Sequence, residues 1–246
     1  MNTPVDEMVE AISNARMGNR RSSSAWIPES RAQAYAVQTR VAALTGEVAG
    51  FKTARKPGQP QIMAPIFARD VLPSGACVAS RFGGHLGVEL EVGLRLEAPL
   101  PAPDSLDFAA RAAACLRPVA VIEIVDTRLE GARADAALAK LADNQINAGL
   151  IVGPEMAAWN GGQLSRVTAR MQAGDACLLY GEADVPGGCA VDTLAALAAM
   201  IGDHCGGLQP GQIIITGSLH PLTYVAPGTL VEGEIDSFGA VRVQIG

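Results

Sequence analysis

The chain has 246 residues, of which 49% are hydrophobic and 18% charged, and its formal net charge is −6. That length allows one large domain or two small ones, with enough chain to bury roughly 70% of its unfolded surface. Arg20-Arg21 is the nearest thing to a basic cluster and no apolar run reaches ~18 residues, so neither nucleic-acid binding nor a membrane span is expected.

In chain order, Pro4 to about Met17 carries a helical stripe of Val5, Met8, Val9 and Ile12. Asp6, Glu7 and Glu10 stand where a secretory leader needs positive charge and an apolar run, so no leader is expected. Ser30 followed by Gln33 is a capping-box signature that starts a second helix, and Gly46 is placed to end it. The two helices predict an N-terminal helical arm over residues 1–48, laid on a β-rich catalytic domain over residues 49–246. From Val48 onward short apolar runs alternate with glycine and proline. Strands are predicted over Gly87–Leu96, Ala120–Asp126, Gly149–Val152, Ser165–Met171, Ala176–Tyr180, Gln212–Thr216, Thr229–Ile235 and Val241–Ile245. Ser237-Phe238-Gly239 reads as a hairpin turn between the last two. Helices are predicted at about Leu106–Leu116, Ala134–Leu141 and Asp192–Cys205. Many strands with few interposed helices indicate an α+β fold and exclude a doubly wound sheet. The five cysteines are odd in number and never spaced as C-x-x-C, which predicts reduced thiols and a cytoplasmic location.

The residues richest in chemistry lie in Gly-Val-Glu-Leu-Glu-Val-Gly. Strict alternation with Val88, Leu90 and Val92 places Glu89 and Glu91 on one face of a strand, with alpha carbons about 7 Å apart. A solvated strand face gives the same pattern. Glu123, however, sits inside the most apolar run of the chain, Val121-Ile122-Glu123-Ile124-Val125. An unpaired ionised carboxylate there costs several kcal/mol on the order of a full desolvation penalty, and a metal or a paired base removes that cost. Three carboxylates with no histidine or cysteine in either strand form a hard, oxygen-only donor set that favours magnesium, manganese or calcium over zinc.

Taken together, Gly-Val-Glu-Leu-Glu-Val, Val-Ile-Glu-Ile-Val-Asp-Thr-Arg, Ala-Asp-Asn-Gln-Ile-Asn-Ala-Gly-Leu-Ile-Val-Gly and Gly-Gln-Ile-Ile-Ile-Thr-Gly-Ser-Leu, in that order, resemble the 2-keto-4-pentenoate hydratases and 2-oxo-3-hexenedioate decarboxylases of the fumarylacetoacetate hydrolase superfamily. Ala34-Tyr35-Ala36-Val37-Gln38 and Gly50-Phe51-Lys52 extend the resemblance over nearly the whole chain. The resemblance implies a mixed β-roll or barrel of the fumarylacetoacetate hydrolase C-terminal type, with the helical arm before it, assembled as a homo-oligomer. It implies a Mg2+ or Mn2+ cofactor held by Glu89, Glu91 and Glu123, with Lys52 and Asp70 as catalytic residues and Thr216, Gly217, Ser218 and Leu219 against the substrate. The implied activity is a hydratase that adds water to a 2-hydroxy-2,4-dienoate, a small-molecule 2-oxo acid in its enol form. Decarboxylation of a 2-oxo-3-enedioate uses the same site, and a non-catalytic partner subunit is a further reading.

Each role has a plainer counterpart. A lysine beside an aromatic is commonly a surface residue, Asp70 is equally a loop-capping aspartate, and Thr216-Gly217-Ser218 is equally a strand-ending turn. The family usually has glycine after Ser-Leu, whereas His220 and Pro221 follow here. A histidine there either narrows the pocket and titrates, or lies on the surface. The stretch Thr53 to Gly58 is shorter and more basic than the family's and reads as a second carboxylate contact or a solvated loop. Asp203-His204-Cys205 is not expected to form a catalytic dyad, because adjacent helical residues point roughly 100° apart; His204 near a helix C-terminus with Gly206 as the stop explains it.

Overall fold

The computed structural model describes residues 3–55 and 58–246, which leaves Lys56 and Pro57 of the basic stretch outside the described residues. The N-terminal part holds α1 (Pro4–Met17) and α2 (Arg31–Thr45), followed by β1 (Val48–Ala54), β2 (Ile62–Phe67), β3 (Val71–Pro73) and β4 (Cys77–Val78). The long central strands β5 (Leu86–Leu96) and β6 (Leu116–Val125) flank α3 (Phe108–Ala113), and α4 (Ala137–Ala142) leads into β7 (Asn147–Glu155). Then come β8 (Arg166–Ala173), β9 (Ala176–Asp184), α5 (Ala190–Ile201), β10 (Ile213–Ser218), β11 (Thr223–Val225), β12 (Leu230–Ile235) and β13 (Gly239–Ile245).

The strands form two sheets. The larger runs β2-β1-β10-β5-β6-β7-β3, with β11 also paired to β5, and the smaller runs β4-β13-β12-β8-β9. Pairing is mixed: β1–β10, β3–β7 and β4–β13 are parallel, the rest antiparallel. This is an α+β architecture with no doubly wound sheet, as the sparse helices predict. On one face of the large sheet Val88, Leu90, Val92 and Leu94 join Ala120, Ile122 and Ile124, and pack with Val231, Ile235, Val241 and Val243 of the small sheet. Each such buried aliphatic contributes about 1.5–3 kcal/mol. On the other face Val119, Val121, Ile213 and Ile215 form a smaller apolar patch. Helices α1 and α2 bury Met8, Ile12, Val37 and Val41 against Phe67 of β2 and Leu141 of α4. Among the described residues no helix is long and apolar enough to cross a membrane.

Several local expectations shift. Thr3 and Asp6 close the capping box, the Thr3 side chain accepting from Asp6 N and Asp6 accepting from Thr3 N. At α2 only half of the predicted box forms: Ser30 Oγ accepts from Gln33 N, but Gln33 Oε1 accepts from Glu29 N at 2.7 Å, one residue too early. The helix predicted over Leu106–Leu116 shrinks to Phe108–Ala113, because Leu116–Val119 extend β6 to pair with Gly93–Leu96. The helix predicted to reach Cys205 stops at Ile201, where Gly202 takes φ 52°. Strands β1 to β4 and β11 were not legible as strands. In β2 five of six residues are buried, so no alternation shows.

Gly50 explains why β1 can sit where it does. A Cβ there would collide with the Ile213 carbonyl oxygen of the parallel neighbour β10, and only glycine permits that approach. Gly50→Ala is expected to push β1 off β10 and to lower stability by about 1–3 kcal/mol, read as a lower urea midpoint at unchanged slope. An unchanged midpoint would show the β1–β10 contact to be slack.

Candidate metal centre

The antiparallel register of β5 and β6 sets Glu89 directly opposite Glu123, with Glu91 opposite Val121. Directly opposed residues share a face, and so do residues two apart on one strand. All three carboxylates therefore converge on the face away from the large core, and one oxygen from each lies within 4.8 Å of the others. Glu91 and Glu123 are buried and Glu89 is partly exposed. This constellation is not a solvated face.

Three further strands supply partners to it. Lys52 of β1 reaches across the sheet and its Nζ lies 2.7 Å and 2.8 Å from the two oxygens of Glu123. The same ammonium donates to the Gln145 carbonyl at 3.3 Å. Burial pushes the Lys52 ammonium down, but the charges of Glu123, Glu89 and Glu91 outweigh it and leave its pKa raised, so the ammonium stays charged. Asn147 at the start of β7 donates its Nδ2 to Glu123 Oε1 at 2.8 Å. In β10 the register shifts between Ile215 and Ser218, and Gly217 at φ 116° aims its backbone N–H at Glu91 Oε2, 2.7 Å away. Even so, burial and the charges of Glu123 and Glu89 hold the Glu91 carboxyl well above the usual carboxylate range. The donor set is hard and anionic, and it fits a divalent cation of the magnesium or manganese kind held by Glu89, Glu91 and Glu123.

The turn that carries Gln145 is unusual. Asn144, Gln145 and Ile146 all take positive φ, at 50°, 52° and 58°, a conformation disfavoured for non-glycine residues and most of all for a β-branched one. It presents the Gln145 carbonyl to Lys52 and starts β7 so that Asn147 meets Glu123. Strain of this kind persists where the surroundings over-determine it.

The carboxylates open into a cavity of about 470 Å³. Lys52, Glu89 and Glu91 line it with Gln145, Gly217, Ser218 and His220, apolar walls come from Ile62, Val125, Ile146, Pro186 and Leu222, and Arg55 and Lys140 are two further cations in the lining. The structure thus brings Lys52, the three glutamates, Gly217 and Ser218 together. It does not bring Asp70 there. That residue pairs with Arg16 at 3.6 Å and lines a different cavity. Thr216 and Leu219 also lie outside the lining. Thr216 is fully buried with an unpartnered hydroxyl, and Leu219 is a core side chain whose backbone N–H donates to Leu90 O.

His220 is neither a surface residue nor a free acid or base. It is buried, its Nδ1 faces the Pro221 carbonyl at 2.8 Å, and its Nε2 accepts from Leu90 N at 3.1 Å. Between Ser218, paired to Glu91, and Thr223, paired to Val88, the ring stands in for the strand that leaves Leu90. Burial lowers its pKa, and this tautomer uses both nitrogens while neutral. His220→Ala is expected to strand the Leu90 N–H and lower stability by about 1–3 kcal/mol, measured by chemical denaturation. Recovery with His220→Gln, which keeps an acceptor, would separate the lost hydrogen bond from the lost volume.

Asn147 and the Gln145 carbonyl were missed from the sequence. Their only signal was a run of polar residues ending abruptly in an apolar strand. The expected separation of His204 from Cys205 also fails: Cys205 takes φ 51°, which brings its Sγ to 3.4 Å from His204 Nε2. No activated thiol results, because burial pushes the Cys205 thiol up to about 11.

No known family profile matches the chain. Its fold is shared with 4-oxalocrotonate decarboxylase from Pseudomonas putida G7. The form complexed with magnesium and adipate is 21% identical with a TM-score of 0.79, over 100% of this chain and 99% of that one. The form complexed with calcium and acetate is 20% identical with a TM-score of 0.78, over the same shares. A fumarylpyruvate hydrolase from Pseudomonas aeruginosa in complex with Mn2+ and pyruvate is 14% identical with a TM-score of 0.56, over 79% of this chain and 88% of that one. At these identities the likeness is one of fold, and it places the chain in the mixed α+β architecture of the fumarylacetoacetate hydrolase type.

Proposed function

We propose that this protein is a divalent-metal-dependent lyase acting on a short 2-oxo acid or its 2-hydroxydienoate tautomer. The observation that carries the reading is the buried cluster of Glu89, Glu91 and Glu123 with Lys52 paired to it at the floor of a cavity. A cation held there supplies Lewis-acid stabilisation of negative charge developing on the substrate 2-oxygen. The protein's own groups do the rest. The charged Lys52 holds a donor proton beside the carboxylates, where a 2-oxo acid's carboxylate and oxygen converge. Ile62, Val125, Ile146 and Pro186 take the carbon chain and exclude water. The neighbours' magnesium, manganese and small carboxylates support the same metal and the same substrate class for this chain.

Of the two reactions this site can host, the geometry favours decarboxylation of a 2-oxo-3-enedioate. Arg55 and Lys140 both line the cavity, but Lys140 is already paired with Asp135 at 3.0 Å, so Arg55 is the cation that suits a second carboxylate. Hydration of a 2-hydroxy-2,4-dienoate, the reaction implied by the sequence resemblance, calls for a positioned base for water, and both nitrogens of His220 are already used. The test is to supply the magnesium-loaded protein with 2-oxo-3-hexenedioate and, separately, with 2-hydroxypenta-2,4-dienoate, identifying products by mass. Loss of carbon dioxide from the first supports the decarboxylase. A water adduct of the second supports the hydratase. Turnover of neither, with magnesium bound, overturns both in favour of a subunit that works only beside a partner enzyme.

A further inference from the structure

A second cavity, of about 240 Å³, lies behind the metal centre. Ile124 and Asp126 line it, whereas Val125, between them in sequence, lines the first cavity. The two cavities therefore occupy opposite faces of β6. Four arginines, Arg16, Arg69, Arg81 and Arg128, and two aspartates, Asp70 and Asp126, contribute to the lining.

Most of these charges are already spent. Arg128 is held by Asp143, its Nε 2.6 Å from Oδ1, and by the Asn147 carbonyl. Asp126 accepts from Arg21, Ser80 and Thr127 N. Arg16 is different. It is 6% exposed, stacks on the Phe67 ring at 4.7 Å and approaches Asp70 only to 3.6 Å, and its Nε is buried with no hydrogen-bond partner. A buried guanidinium N–H without an acceptor is costly, and a carboxylate matches its fork. Exposed Arg69 and Arg81 leave the lining net positive. Leu72, Phe82, Leu86 and Ile151 make the remaining wall apolar.

We infer that this cavity is a second ligand site, which takes a small monocarboxylate with an apolar body, its carboxylate on Arg16. The site is independent of the metal centre and of the reaction run there. Sequence alone hides it, since its parts come from α1, from the turn between β2 and β3, from β3, from β4 and the segment linking it to β5, and from β6 and β7 with the residues that follow β6.

Benzoate is a suitable probe, titrated calorimetrically into the magnesium-loaded protein. Saturable binding is expected, and it should persist within about twofold in Glu91→Gln, which alters the metal centre only. Arg16→Gln should weaken it by about ten- to a hundredfold, the loss expected for a charge-assisted hydrogen bond. Since Arg16→Gln also removes packing on Phe67, Ala148→Leu serves as the second variant. It leaves every charge in place and fills the cavity, and it should abolish binding. Binding lost in Glu91→Gln but kept in Arg16→Gln and Ala148→Leu would put benzoate at the metal centre and overturn the inference. So would an absence of saturable binding to the wild type, or inorganic phosphate displacing benzoate at lower concentration, which would deny the apolar body a role.

Discussion

Glu123→Gln is expected to reduce divalent-cation affinity by more than a hundredfold and to remove turnover with it. The substitution is isosteric, so Asn147 Nδ2 keeps an oxygen to donate to, and the β5–β6 ladder is untouched because it is made by backbone. What goes is one of the three carboxylate ligands and the ion-pair partner of Lys52. Removing a group that merely orients a metal ligand costs about ten- to a hundredfold in affinity, and removing a ligand from so small a set should cost more. Titration calorimetry with magnesium gives the affinity, and the product assay gives turnover. Near-normal magnesium binding in Glu123→Gln would sink the assignment of the centre, and with it the proposed chemistry.

Lys52→Met is expected to destabilise the metal-free protein by about 3 kcal/mol at alkaline pH, the cost of leaving buried charge without its partner. The effect should shrink as pH falls. The sign follows from Glu91, whose pKa is raised in the folded protein by burial and by Glu123 and Glu89. A raised carboxyl stabilises the fold relative to the unfolded chain while it is protonated, and that contribution is lost as pH rises through the folded value. The metal-free wild type should therefore lose stability as pH climbs from the ordinary carboxylate range through the raised one. Lys52 moderates that loss, and Lys52→Met should steepen it. Saturating magnesium should flatten both curves, because a bound cation takes over the compensation. Thermal unfolding across pH, with and without magnesium, measures all four curves. A Lys52→Met curve parallel to the wild type would mean that the ammonium does not balance the glutamates.

The sequence disclosed the centre unevenly, and the reasons are physical. Glu89, Glu91 and Glu123 were visible because a charged residue in a period-two apolar pattern is conspicuous, and because Glu123 had no solvated alternative. Their convergence follows once β5 and β6 pair. The partners were not visible in the same way. Lys52 arrives through β1, which lies between β2 and β10 and meets the strands of the glutamates by way of its parallel pairing to β10, far along the chain; nothing local announces such a contact. Asp70 was expected beside the glutamates and lies in the other cavity, because the short turn from β2 into β3 carries it to Arg16. His220 was read as a departure in the loop, yet it repairs a backbone gap at Leu90. Residue type foretold the buried Glu123, but not the burial of Lys52 and His220, nor which backbone group a buried side chain would serve.

The opposed register of Glu89 and Glu123 bears on how the chain avoids misassembly. A slip of one residue between β5 and β6 would turn a full set of side chains over. Glutamates would enter the aliphatic layer that holds Leu90 and Ile122, and valines would occupy the acidic cavity. The penalty for that error falls on carboxyl groups that would lose Lys52, Asn147 and the Gly217 N–H as partners, so it is steeper than a mismatch among aliphatics alone. The centre acts in this respect as a proofreading device for strand alignment. Mispaired forms are disfavoured before any ligand is met, and the cation, when it comes, binds only chains that have aligned correctly.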